Sequence, residues 1–165
     1  MSKRWGVIAG CLVVAGVAVW LTLFRASEED RVRATLNELA KIVAVKEGDT
    51  LLSRLARLRS RLPEVVDDDV RVNVAELRID VTGRRQLEED AAKAGLVFQS
   101  ADCAFTNLTI RVDPGGVLAT VDGLALVTAN RGGERKVDER DVHFLLRKDG
   151  DWKISTIDVA PPRRE

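Results

Sequence analysis

The hydrophobic positions of this chain follow three spacings, and each predicts a different kind of element. Residues Trp5 to Phe24 read WGVIAGCLVVAGVAVWLTLF, twenty positions without a charge. As a helix they would extend about 30 Å, the thickness of a bilayer's hydrocarbon core, with every backbone amide paired inside the helix. Trp5 and Trp20 stand towards the ends, Phe24 closes the run, and Lys3, Arg4 and Arg25 bracket it. Indoles at the lipid–water boundary and flanking cations mark a spanning segment, so residues 1–26 are expected to be an N-terminal transmembrane anchor bound to the bilayer through residues 5–24. From Ser27 the spacing becomes that of an amphipathic helix. Ser27 supplies a capping hydroxyl, and Glu28, Glu29 and Asp30 complement the positive end of the dipole. Val32, Leu36, Leu39 and Val43 follow at intervals of 4, 3 and 4, and Gly48 ends the run. Leu51, Leu55, Leu58 and Leu62 form a second stripe that stops at Pro63. Its other side carries Arg54, Arg57 and Arg61 with Arg59 beside them, a solvated basic face offset by Glu64, Asp67, Asp68 and Asp69 downstream.

From Val70 the spacing drops to two. Val70, Val72 and Val74 alternate with polar residues, and Leu77, Ile79 and Val81 do so in the other phase, which predicts one bulged strand or two short ones. Gly83 to Phe98 returns to a helical pattern, with Leu87, Ala91, Ala94 and Phe98 on one side. Four strands follow, over 103–112, 117–130, 135–147 and 152–159. Asp113-Pro114-Gly115-Gly116, Asn130-Arg131-Gly132-Gly133 and Lys148-Asp149-Gly150-Asp151 supply the turns. Short hairpins force antiparallel neighbours. The expected fold class is α+β: two or three helices packed on a curved antiparallel sheet over residues 27–160, behind the anchor, with 161–165 as a tail.

Charge narrows the partners. The chain holds 26 basic and 26 acidic side chains, but residues 1–26 contain three of the bases and no acid, so the rest is mildly acidic. A surface that neutralises phosphates would show the opposite balance, and no nucleic acid is expected as a partner. Two processing alternatives remain for the apolar segment. Gly16 and Ala18 offer a signal-peptidase pattern, and Ile8-Ala9-Gly10-Cys11 resembles a lipobox. Both leave an apolar run behind the cut. Lys3 and Arg4 precede the segment whereas Arg25, Arg31, Arg33 and Lys41 follow it, a count that favours the other orientation. The short basic start still reads as a signal-anchor, and the expected location is the inner membrane, single-pass, with the domain on the extracytoplasmic, periplasmic side. Cys103 is the only thiol after the anchor, so no disulfide can form inside the domain.

The order of elements, closed by Phe144-Leu-Leu-Arg-Lys-Asp-Gly-Asp-Trp152-Lys-Ile-Ser-Thr-Ile-Asp-Val159, resembles the nuclear transport factor 2-like superfamily, including its SnoaL-like branch, over about residues 28–160. The resemblance implies a cone: a bent sheet wrapped against helices, leaving a concave apolar cavity for a small ligand or partner. It also implies that enzymes of the superfamily place an Asp or His base in that cavity with a Tyr or second acid to hold an oxyanion. This chain has no Tyr. The residues left for such chemistry are His143, Asp80, Asp102 and Asp158, all in or beside predicted strands. His143 alternates with Val142 and Phe144 and must face away from whatever those two pack against. One His and one Cys in the domain do not make a usual zinc set, and no metal or cofactor is expected. Trp152 reads as a closure for the last hairpin. The leading expectation is a tethered, non-catalytic binding or assembly module, able to form a homodimer through an open sheet face. The alternative is an isomerase, dehydratase or hydrolase using His143 with an Asp, which requires the two within hydrogen-bond reach inside the cavity.

Overall fold

The computed structural model describes residues 27–162. The anchor predicted over residues 5–24, with Trp5, Trp20 and Phe24, lies outside the described residues, as do the last three positions. Among the described residues no helix is long and apolar enough to cross a membrane.

The first helix, α1 (Glu28–Val43), starts where the acids and the hydroxyl predict. The Ser27 hydroxyl accepts from the Asp30 amide at 3.1 Å, and the Asp30 carboxylate accepts from the Ser27 amide at 3.2 Å. Two of the orphan donors of a helix start are thus satisfied reciprocally. Thr50 and Ser53 repeat the device at the head of α2 (Leu51–Val65). This helix does not stop at Pro63 as the stripe predicts; it carries the proline in its last turn and passes directly into β1 (Val66–Val74). There the missing amide forfeits a single ladder bond, and Leu62 and Val65 on either side are buried.

The alternation from Val70 to Val81 resolves into two strands. One 3-10 turn, Ala75–Leu77, separates β1 from β2 (Ile79–Thr82), and the two pair antiparallel. Helix α3 (Arg84–Val97) then leads to β3 (Ser100–Val112), β4 (Leu118–Arg131), β5 (Glu134–Asp149) and β6 (Asp151–Ala160), joined by the three predicted turns. The sheet order is β2-β1-β6-β5-β4-β3. An entirely antiparallel sheet is not what forms: β1 and β6 run parallel, so the sheet is mixed. Through α3 the chain crosses from one edge of the sheet to the other, and three hairpin steps return it alongside β1 pointing the same way. The resulting α+β fold has three helices on a curved six-stranded sheet.

Two bulges bend the long strands. In β3 the register slips between Thr106 and Thr109, with Asn107 in the left-handed region at φ +52°. Gly123 lies opposite, and a Cβ there would come within 2.6 Å of the Leu108 side chain and 2.9 Å of the Thr106 carbonyl. In β6 the slip falls between the partners of Leu145 and Leu146, at Ser155.

The core lies between the helices and one face of this sheet. Val32, Leu36, Leu39 and Ile42 from α1 and Leu58 and Leu62 from α2 meet Val121, Val142, Phe144, Leu146, Ile154 and Ile157. Phe105 meets Phe144 edge to face, centroids 5.1 Å apart. Trp152 closes the last hairpin against α1, its indole donating to Glu28 at 2.8 Å. The basic side of α2 is not uniformly solvated. Arg54 is 1% exposed and donates to Val43 and Ala44 at 2.6 Å each and to Ala91 at 2.9 Å. It ties the carbonyl end of α1 to α3, satisfying groups that a helix end leaves without partners. Arg57 pairs with Asp49 at 2.7 Å, and Arg61 with Glu38 at 2.7 Å and Glu64 at 3.1 Å.

Candidate functional site on the outer face

The strand registers set the geometry of the site. Thr109 stands opposite Asp122, Asp122 opposite His143, His143 opposite Asp158, Asp158 opposite Asn73, and Asn73 opposite Asp80. Directly opposed residues project to the same side of a sheet. The chain neighbours of this row, Val121, Val142, Phe144 and Ile157, are the ones packed on the helices. The row therefore crosses the whole sheet on the face away from the helices, called the outer face below.

Three of the four candidates, His143, Asp158 and Asp80, share this row. Asp80 sits on the edge strand β2, away from the cleft that the other two line. Asp102 lies on β3 opposite Thr128, several rows off and exposed, and is not brought to His143. The carboxylate that does reach the ring is Asp122. Its Oδ1 lies 2.7 Å from Nδ1 of His143, and Arg111 from the adjoining row pairs with the same carboxylate. The hydrogen bond to His143, with the charges of His143 and Arg111 adding to it, holds the Asp122 carboxyl below the usual carboxylate range against the opposing effect of burial.

These groups line an open cleft of about 1010 Å³, in which Asp122, Asp141, His143 and Asp158 are joined by Leu124 and Pro161. The His143 side chain is 39% exposed and that of Asp122 47%. The arrangement can orient an imidazole ring and present carboxylate acceptors to a polar or cationic group. Towards the helices the same strands offer buried apolar side chains, among them Phe144, Leu146 and Ile154. Cys103 lies on that inner side, where burial pushes its thiol up to about 11, so it is neither a ready nucleophile nor a ready ligand. Among the described residues, no three His, Cys, Asp or Glu side chains are placed to hold a metal ion.

Sequence reasoning missed Asp122, although a signal for it was present. Gly132-Gly133 is a two-residue hairpin loop that pairs Arg131 with Glu134, and counting outward along both strands puts Asp122 opposite His143.

No family model and no curated protein matches this chain. Solved structures do match it. A protein of Kribbella flavida superposes with a TM-score of 0.68 at 11% identity, over 84% of this chain and 93% of that one. A candidate scytalone dehydratase from Novosphingobium aromaticivorans gives 0.65 at 16%, over 84% and 95%. A nuclear transport factor 2-like superfamily protein of Salmonella enterica gives 0.64 at 13%, again over 84% and 95%. The chain thus has the nuclear transport factor 2-like fold, as its closing hairpin and element order predict. At these identities the likeness is one of fold, and fold alone does not carry a reaction.

Proposed function

We propose that this chain is a membrane-tethered, non-catalytic binding or assembly module that works through the outer face of its sheet, with residues 5–24 as the tether and the domain held on the extracytoplasmic side. One observation carries the reading. Buried apolar side chains from α1, α2 and β4–β6 meet between helices and sheet, while His143, Asp122 and Asp158 all stand on the other side. A reacting group gains most from a site that excludes water and aims fixed dipoles at developing charge. The half-exposed outer row does neither, and with no Tyr in the chain no phenol is available to hold an oxyanion.

A second reading, an isomerase, dehydratase or hydrolase, has the His143–Asp122 hydrogen bond in its favour, since an acid that orients an imidazole is half of a general-base pair. Native mass spectrometry of the full-length chain, extracted in detergent from its own host, separates the two. The binding reading expects a bound species that Leu145→Arg, on the outer face, strips off and that Leu52→Arg, on α2, does not. A species that survives both substitutions and leaves only when the helix-facing side is altered overturns it. The tether is tested by washing membranes with alkaline carbonate. The chain is expected to stay with the lipid, and its release would remove that part of the proposal.

A further inference from the structure

The hairpin loop between β3 and β4 is closed on itself. Asp113 turns its carboxylate back over the loop and accepts from the amides of Gly115 at 3.1 Å, Val117 at 2.8 Å and Leu118 at 2.7 Å. The Gly116 amide donates to the Asp113 carbonyl at 2.9 Å, and Pro114 has no amide to satisfy. The Val117 carbonyl accepts from the Lys148 amide and the Leu118 carbonyl from the Asp113 amide, both at 2.9 Å. The side chains left on the outside are apolar: Val117 is 51% exposed and Leu118 55%.

The start of α1 lies at the same end of the domain, and Lys148 touches both. Its amide is the donor to Val117, and its ammonium pairs with Glu28 at 2.9 Å. Only Arg25 and Ala26 stand between Phe24 and Ser27. The three peptide steps from Phe24 to Ser27 reach at most about 11 Å. A membrane segment that ends at Phe24 therefore keeps the first turn of α1 near the lipid surface, and with it the loop that Lys148 joins to that turn. Leu52 and Leu96 are more exposed than either loop residue, at 78% and 69%. They stand at the other end of the helix layer, with the whole length of α1, about 24 Å, between them and Ser27, so the short link favours the loop.

We propose that the 113–118 loop is a second membrane contact, with the Val117 and Leu118 side chains seated at the headgroup–acyl boundary of the bilayer that holds residues 5–24. The inference rests on the tether proposed above and adds the orientation of the domain. Irregular backbone is kept out of lipid by polar groups without partners, and here every loop amide already has one, so the tip enters the interface without an unmet donor. The cations beside it, Arg147 and Lys148, are paired with Asp67 and Glu28, and Asp149 and Asp151 follow in the next turn. The contact is therefore apolar rather than a docking of anionic headgroups, and salt should not weaken it. Asp122 lies four residues along β4 from Leu118, which places the carboxylate–histidine row about 13 Å farther from the lipid, where water-borne ligands reach it.

The test uses the full-length chain, with Cys11→Ser and Cys103→Ser, in phosphatidylcholine vesicles. A small thiol-bound fluorophore on Val117→Cys is expected to be quenched by lipids brominated on their acyl chains, in high salt as in low, and one on Leu52→Cys is not. Flotation of the vesicles reports the tether separately. A chain that fails to float removes the tether and the loop contact with it, whereas a floating chain with an unquenched Val117 probe overturns the loop contact alone. A quenched Leu52 probe beside an unquenched Val117 probe also overturns it. Because the dye is itself apolar, a second measurement leaves the loop unlabelled. With the fluorophore on Leu52→Cys, Val117→Asp combined with Leu118→Asp should lose the residual anisotropy of a domain held at two points. Val137→Asp, exposed towards the far end of β5, should keep it. All three sites are exposed, so unchanged circular dichroism confirms folding, and equal anisotropy with and without the loop substitutions overturns the inference.

Discussion

On the helix side of the sheet, β4 and β5 present Ala119, Val121, Ala125, Val142, Phe144 and Leu146, all buried. Between them in the same strands, Thr120, Asp122, Leu124, Asp141, His143 and Leu145 form the outer face. Backbone, registers and strand lengths are shared, so the difference lies in which residue falls on which side of the pleat. One side is a core in which shape must match; the other is a polar array in which charge must match. Side-chain chemistry capable of binding or proton transfer has collected on the second, and stability on the first.

The contrast predicts unequal costs. Phe144→Ala should destabilise the domain by about 4 kcal/mol, since it empties a site that is 1% exposed and removes the ring packed on Phe105. Urea denaturation measures it, and a cost near that of a surface change would mean that the core is not where the stability lies. Arg54→Met is expected to cost about 3 kcal/mol, because the apolar chain keeps the volume but removes the buried guanidinium's hydrogen bonds to the Val43, Ala44 and Ala91 carbonyls. His143→Ala, one position from Phe144, should cost under about 1 kcal/mol by the same measurement, as expected of a half-exposed group. The smallest effect is one of pH. The folded state holds the Asp122 carboxyl low, so its contribution is complete above the unfolded-state value of about 3.9 and disappears as pH falls through the lower folded-state value. Asp122→Asn should therefore flatten the acid limb of the urea midpoint below about pH 4, and an unchanged limb would mean that the His143 contact adds nothing.

Much of the helix side was legible from the sequence because its signals are local. Ser27 caps, Leu55, Leu58 and Leu62 of the second stripe turn inward while Leu51 at its head stays exposed, and each glycine turn fixes a hairpin. The assignment of His143 away from Val142 and Phe144 needed only the period of a strand. What escaped depends on contacts distant in sequence. Arg54 looks like any arginine of a basic stripe until the ends of α1 and α3 converge on it, and nothing near Val66 tells that Ile154 will lie beside it in parallel. Asp122 falls between these cases: it could be found from the Gly132-Gly133 loop, but only by counting a register outward rather than scanning for a motif.

The parallel pairing of β1 with β6 has a consequence for biogenesis. Val66 finds Ile154 and Val72 finds Ile157, so a strand made early waits for one made almost ninety residues later. Until β6 emerges, the middle of the sheet is missing: β1–β2 and β3–β5 are separate ribbons, each with a bare apolar side. A nascent chain would pass through this half-built stage before its last strand is made, and its need for a holding chaperone should end with the synthesis of Ile154 to Val159.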